Sequence, residues 1–285
     1  LHTHWDREWY REFEVFRMRL LRVFDNVLNM LESGKIPSFY FDGQVVALLD
    51  YLEIRPEKEP LVRRLVREKR LFIGPFYCLV DEFLTDGITF RKNLEIGMKV
   101  ARDFGCEDFI GYMADTFGHS QNVPKILREV GIDKCVVWRG VPSAIPAEFK
   151  FNGIDTVNLI RGYFMDCLEP EFLQKNLDLI AEKSGDILLL PIGADHRGID
   201  EDIIEKITFA NSKLEDYEIT LGSPFDYFEA VKERFTTEWC GELRDNSATF
   251  ILEGSYSARI DIKIWNSKAS SALHFADRLQ KHFGG

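Results

Sequence analysis

The chain has 285 residues, 45% of them hydrophobic, enough to bury a sizeable core in one large domain or two smaller ones. Its net charge of −11 argues against a nucleic-acid partner, which needs a basic surface. No apolar run approaches the roughly 18 residues that cross a bilayer, no signal peptide is visible, and five dispersed Cys without a CxxC point to reduced thiols in a cytoplasmic protein.

In chain order, a first strand ends at residues 1–3 and runs into HTHWDREWY. Phe13, Phe16, Leu20, Phe24, Val27 and Leu31 recur at helical spacing, so 10–33 reads as an amphipathic helix stopped by Gly34. PSFYF (37–41) reads as a strand, QVVALLDYL (44–52) and EPLVRRLVREK as helices, and RLFIGPFY (70–77) as a strand. A helix closed by Gly105 precedes the strand EDFIGYMA (107–114), and a short helix ending at Gly131 precedes the strand KCVVWRG (134–140). FKFNGIDTVNLI reads as an inserted hairpin turning at Asn152-Gly153. Then come the helix PEFLQKNLDLIAEKSG, the strand DILLLPIG (186–193), the helix EDIIEKITFANSK, the strand YEITLG (217–222) and the helix FDYFEAVKERF. Residues 1–237 thus alternate seven strands with helices, several strands being continuously apolar, as in a parallel sheet buried on both faces. Residues 238–285 break that rhythm with a polar loop and a helix over about 259–282, the start of a separate helical domain. No GxGxxG or GxxxxGK[ST] turn supports a nucleotide-binding doubly wound sheet, but periodicity alone leaves an open sheet and a closed barrel both standing.

In parallel α/β folds, chemistry gathers where strands end. Those ends carry His2, His4 and Asp6; Asp42; Asp81 and Glu82; Asp115 and His119; Arg139; and Asp195 and His196. One such Asp alone is ordinarily a helix cap. Six charged strand ends on one rim call for another reason. An extended HTHWD puts His2, His4 and Asp6 on one face, with Thr3 and Trp5 on the other. His4 and Asp6 then form half of a mixed N/O metal site, completed by Asp115 and a later His, which Zn²⁺ accepts and Co²⁺ or Mn²⁺ could share.

HTHWDREWY, FDGQ, GPFY, GYMADTFGHS and WRG, in this order, resemble the catalytic domain of glycoside hydrolase family 38, the α-mannosidases. The resemblance covers most of 1–235 and implies a (β/α)7 barrel, followed by the start of a helical-bundle domain. It also implies retaining hydrolysis of α-mannosidic bonds with one divalent metal, most often zinc. It carries the metal ligands onto His4, Asp6 and Asp115, with Asp115 also the nucleophile. The sugar platform falls on Trp9 and the substrate-facing Arg on Arg139, with Asp42, Asp81 and Asp195 as further substrate contacts. The fourth ligand falls on His196, or on Asp195, since the order Asp195-His196 reverses the family's His-Asp. Asp166 is the expected general acid, with Asp81 and Glu82 as rivals. The family's chain continues into further domains that help close the site; a second subunit of a homo-oligomer is another source of that wall. The competing readings are a related carbohydrate-active hydrolase or deacetylase on a similar barrel, and a metal-stabilised sugar-binding domain without turnover.

Overall fold

A computed structural model describes residues 1–283; the last two positions of the expected helical domain, 284–285, lie outside the described residues. The chain is an α/β structure whose strands fall into two sheets. The first sheet is parallel and has the order β1 (His2–Thr3), β2 (Phe39–Phe41), β3 (Leu71–Phe72), with His2 opposite Tyr40 and Phe39 opposite Leu71. Helices α1 (Phe13–Glu32), α2 (Val46–Ile54) and α3 (Glu59–Arg67) connect and cover it. β3 stops well short of the run read as a strand over 70–77, which contains Pro75, a residue with no N–H to donate to a ladder. Phe16, Leu20, Phe24, Val27 and Leu31 of α1 are all buried, as their spacing requires, and Phe24 stacks on Phe41 and Tyr51.

The second sheet begins after α4 (Gly87–Phe104). Asp86 caps α4 by accepting from the amides of Ile88 and Thr89, and Gly105 ends it in the left-handed region. Strands β4 (Gly111–Met113), β5 (Lys134–Val137), β6 (Glu148–Phe151), β7 (Ile154–Asn158) and β8 (Glu238–Trp239) have the spatial order β4-β5-β7-β6-β8. All neighbours are parallel except β6 and β7, which form the hairpin turning at Asn152-Gly153. Far from standing outside the sheet as an insert, the hairpin supplies the strand next to β5. α5 (Val123–Glu129), α6 (Pro170–Ser184), α7 (Ile203–Asn211), α8 (Pro224–Ala230) and α9 (Ile260–Phe283) complete the helices.

Two expected strands form no ladder. Residues 186–190 and 217–221 line, with Tyr40 and Tyr112, a cavity of about 400 Å³, which separates their backbones from any neighbouring strand. Only the end of the first segment reaches the sheet. His2 N–H donates to the Ile192 carbonyl at 3.0 Å, His4 N–H to that of Ala194 at 3.3 Å, and His196 N–H to that of His4 at 2.9 Å. This approach needs Gly193: a Cβ there would lie 2.1 Å from the His2 carbonyl oxygen. No helix among the described residues is long and apolar enough to cross a membrane.

Candidate active site

The site forms where β1, β2, β4 and β5 end. Trp5 points into the core against Phe16, 2% exposed, which leaves His4 on the opposite face beside Tyr163, their rings 5.2 Å apart. His2 shares that face, but its Nε2 lies 2.7 Å from the Tyr163 carbonyl, and burial holds its imidazole down to about 3. Asp42 was expected to touch substrate. Instead it is fully buried and spends both oxygens inside the protein: Oδ1 lies 2.9 Å from His4 Nδ1, while Oδ2 accepts from the Trp5 amide at 2.8 Å and Gln44 Nε2 at 2.7 Å. Its role is to fix the His4 ring, turning Nε2 outward. Burial opposes charge on His4, but Asp42 and Asp6 outweigh it and raise the imidazole well above its ordinary range.

His4 Nε2 faces two carboxylates, Asp6 Oδ1 and Asp115 Oδ2, each at 3.6 Å. Burial works against charge on Asp6, yet the His196 and His4 rings beside it hold its carboxyl well below the usual range. On Asp115 the other oxygen, Oδ1, takes two charge-assisted hydrogen bonds, from Arg139 Nε at 2.8 Å and Nη2 at 2.7 Å. Arg139 is itself 4% exposed, walled in by the rings of Trp138 at 4.0 Å, Phe117 at 4.4 Å and Phe250 at 4.5 Å. Its Nη1 reaches Thr249 Oγ1 and the Phe250 carbonyl. The guanidinium therefore cannot swing away from Asp115.

The 194–198 turn brings in two more groups. His196 Nε2 accepts from the Asp6 amide at 3.0 Å and lies 3.3 Å from Asp6 Oδ2. With its lone pair so engaged, His196 positions Asp6. Asp195 lies beside His4 in a parallel bridge, with Oδ1 buried and without a partner. Its carboxyl is raised above the usual range, first by burial and further by the charges of Asp115 and Asp6, against the pull of His4 and the facing Tyr163 hydroxyl.

Other expected residues stand apart from this cluster. Trp9 is 62% exposed at the rim, 6.0 Å from the His196 ring. Asp166 forms an ion pair with Arg197 at 3.0 Å, both half-exposed. Asp81 accepts from the Phe83 amide, its carboxyl raised by burial. Glu82 is sealed against His119 and the Ser120 amide and has no path to a substrate. Sequence reasoning missed Tyr163, whose neighbour Asp166 drew attention instead, and Thr249 and Phe250, which sit in a polar stretch with no periodicity.

As placed, no group of three or more His, Cys, Asp or Glu side chains among the described residues could hold a metal ion. The donor chemistry around His4 nevertheless suits one. Donors held about 2.1 Å from a tetrahedral ion stand about 3.4 Å apart, and the two carboxylate oxygens lie 3.6 Å from the outward imidazole nitrogen. The partnerless Asp195 Oδ1 opens beside the same cluster.

Against known proteins, a model of the glycosyl hydrolases family 38 N-terminal domain matches residues 1–251. The protein named "Putative mannosylglycerate hydrolase" of Halalkalibacterium halodurans is 31% identical over 305 residues, covering 95% of this chain and 34% of its own length. Alpha-mannosidase G of Dictyostelium discoideum is 23% identical over 300 residues, covering 99% of this chain and 27% of its own. The crystal structure of an alpha-mannosidase from Enterococcus faecalis V583 superposes with a TM-score of 0.78 at 31% identity, over 85% of this chain and 30% of that one. The chain therefore spans about a third or less of the length of the curated relatives it matches.

Proposed function

The chain belongs to glycosyl hydrolase family 38, and from that premise we propose that it carries the core of a retaining α-mannosidase site with Asp115 as the nucleophile. The observation that carries this reading is the two-sided hold on Asp115: Arg139 grips one oxygen, and the other faces the Asp42-oriented His4. A nucleophilic carboxylate needs such an unambiguous aim, because a small misplacement costs much of the rate.

Retention requires a second carboxyl that arrives protonated. Asp195 meets that need better than the expected Asp166. Asp166 is paired with an arginine in solvent, whereas Asp195 is desolvated, lies near Asp115 and is raised by it. In the first step an Asp115 oxygen bonds to the anomeric carbon as the glycosidic C–O bond breaks, and Asp195 gives its proton to the departing oxygen. In the second, the Asp195 carboxylate takes a proton from water, whose oxygen bonds to the anomeric carbon and releases Asp115. Trp9 offers an exposed apolar face to the sugar at the rim.

A divalent ion, zinc by donor type with Co²⁺ or Mn²⁺ as alternatives, would be held by His4, Asp6 and Asp115. When bound it would act as a Lewis acid toward the sugar hydroxyls through a position left open by the three donors. We also read the two sheets as arcs of a seven-stranded (β/α)7 barrel, supported by the parallel run of 192–196 beside β1.

The stereochemical test is direct. Hydrolysis of an aryl α-mannoside, followed by proton NMR before mutarotation, should release α-mannose first. First release of the β anomer would overturn the retaining assignment.

A further inference from the structure

Glu82 has no part in the reaction proposed above, yet its carboxylate is almost as completely enclosed as that of Asp42. Its side chain is 1% exposed and that of His119 is 0% exposed. Burying such a group costs stability unless every oxygen finds a partner. Both of its oxygens find one in the same short loop: Oε1 lies 2.7 Å from His119 Nδ1, and Oε2 accepts from the Ser120 amide at 2.8 Å. That loop begins at Asp115.

The loop is tied down on its other side as well. His119 exchanges both backbone hydrogen bonds with Leu243, each 2.9 Å. Gly118 allows this approach, at φ +96°, because a Cβ there would lie 2.9 Å from the Leu243 carbonyl oxygen. His119 Nε2 is buried without a partner among the described residues. Its one polar contact is Glu82.

Resting on the retaining reading of Asp115, we infer that Glu82 is a positioning residue for the nucleophilic step. It pins the 115–120 loop through the His119 ring and the Ser120 amide, while Arg139 fixes the Asp115 oxygen at the loop's start. Glu82→Gln is the sharp variant. It keeps the shape but removes the negative charge, so two contacts to a carboxylate become one neutral acceptor to the Ser120 amide and, only after the His119 ring moves its proton to Nε2, one neutral donor to Nδ1.

The test measures covalent labelling of Asp115 by a 2-fluoro-mannosyl inactivator, together with amide hydrogen exchange. Glu82→Gln should slow maximal labelling about tenfold or more with half-saturation nearly unchanged. It should speed exchange across 115–122 while β4 and β5 exchange as in the wild type. His119→Phe, which removes the same donor, should reproduce both effects and gives a second route if Glu82→Gln fails to fold. His119→Asn, whose amide can stand in for Nδ1, should restore most of the labelling rate. Wild-type labelling kinetics in both Glu82→Gln and His119→Phe would overturn the inference. So would a loss in which half-saturation worsens equally and exchange rises throughout β4 and β5, which marks a general packing defect. If the wild-type protein is itself unlabelled at Asp115, the retaining reading fails. The exchange arm then decides the brace alone, and unchanged exchange across 115–122 refutes it.

Discussion

Asp195 and Asp166 are two carboxyls in opposite surroundings. Burial and two neighbouring carboxylates favour the protonated form of Asp195, while Asp166 sits in solvent against Arg197. A proton donor works only while it holds its proton. Its raised position therefore extends activity to higher pH, and kcat/KM should fall as pH rises through that value. Asp195→Asn should remove this alkaline limb and slow hydrolysis of an alkyl α-mannoside by about 10²–10⁴-fold. A dinitrophenyl α-mannoside, whose leaving group needs no proton, should be largely spared. Asp166→Asn should leave both substrates nearly unchanged. Loss on Asp166→Asn with an intact Asp195→Asn would restore the role expected from sequence.

Among the elements, the contact of 192–196 with β1 matters most, because it brings Asp195 and His196 to His4 and Asp6. Gly193 is its weakest point. Gly193→Ala would place a methyl 2.1 Å from the His2 carbonyl oxygen, so the two segments must part. We expect a loss of roughly 1–3 kcal/mol in urea unfolding, together with loss of activity. Wild-type stability would show that the contact is not held as described. This contact also marks the limit of what the sequence discloses. HTHWD and ADTFGHS could be read as site stretches because strand alternation alone puts His4 and Asp6 on one face, and Asp115 follows just after β4. Asp42 could not be read correctly: its role depends on the Trp5 amide and the His4 ring, partners brought together only by the register of β1 on β2. DILLLPIG has the composition of a buried strand, and periodicity cannot tell a strand from an apolar segment lining a cavity. The hairpin at Asn152-Gly153 was legible from its turn, but its place beside β5 was not, because pairing partners are a property of the whole sheet.

On the scale of the molecule, the two sheets meet at one rim, where a His, an Arg and several carboxylates converge beside an exposed Trp. The net charge of −11 suits a neutral sugar better than a polyanion. α9 carries Ile260, Ile262, Trp265, Leu273 and Phe275 with large exposed faces, so its apolar side adds nothing to the core around the site. The proposed chemistry therefore rests on the rim itself and on the carboxylate that Arg139 and His4 hold between them. In that chemistry this carboxylate becomes covalently attached to the sugar. Treating the metal-supplemented protein with a 2-fluoro-mannosyl inactivator and sequencing the digested peptides by mass spectrometry tests it most directly. One added fluoromannosyl group is expected, on Asp115, absent in Asp115→Asn. Inactivation with the label on another residue, or hydrolysis of α-mannosides that persists in Asp115→Asn, would contradict it.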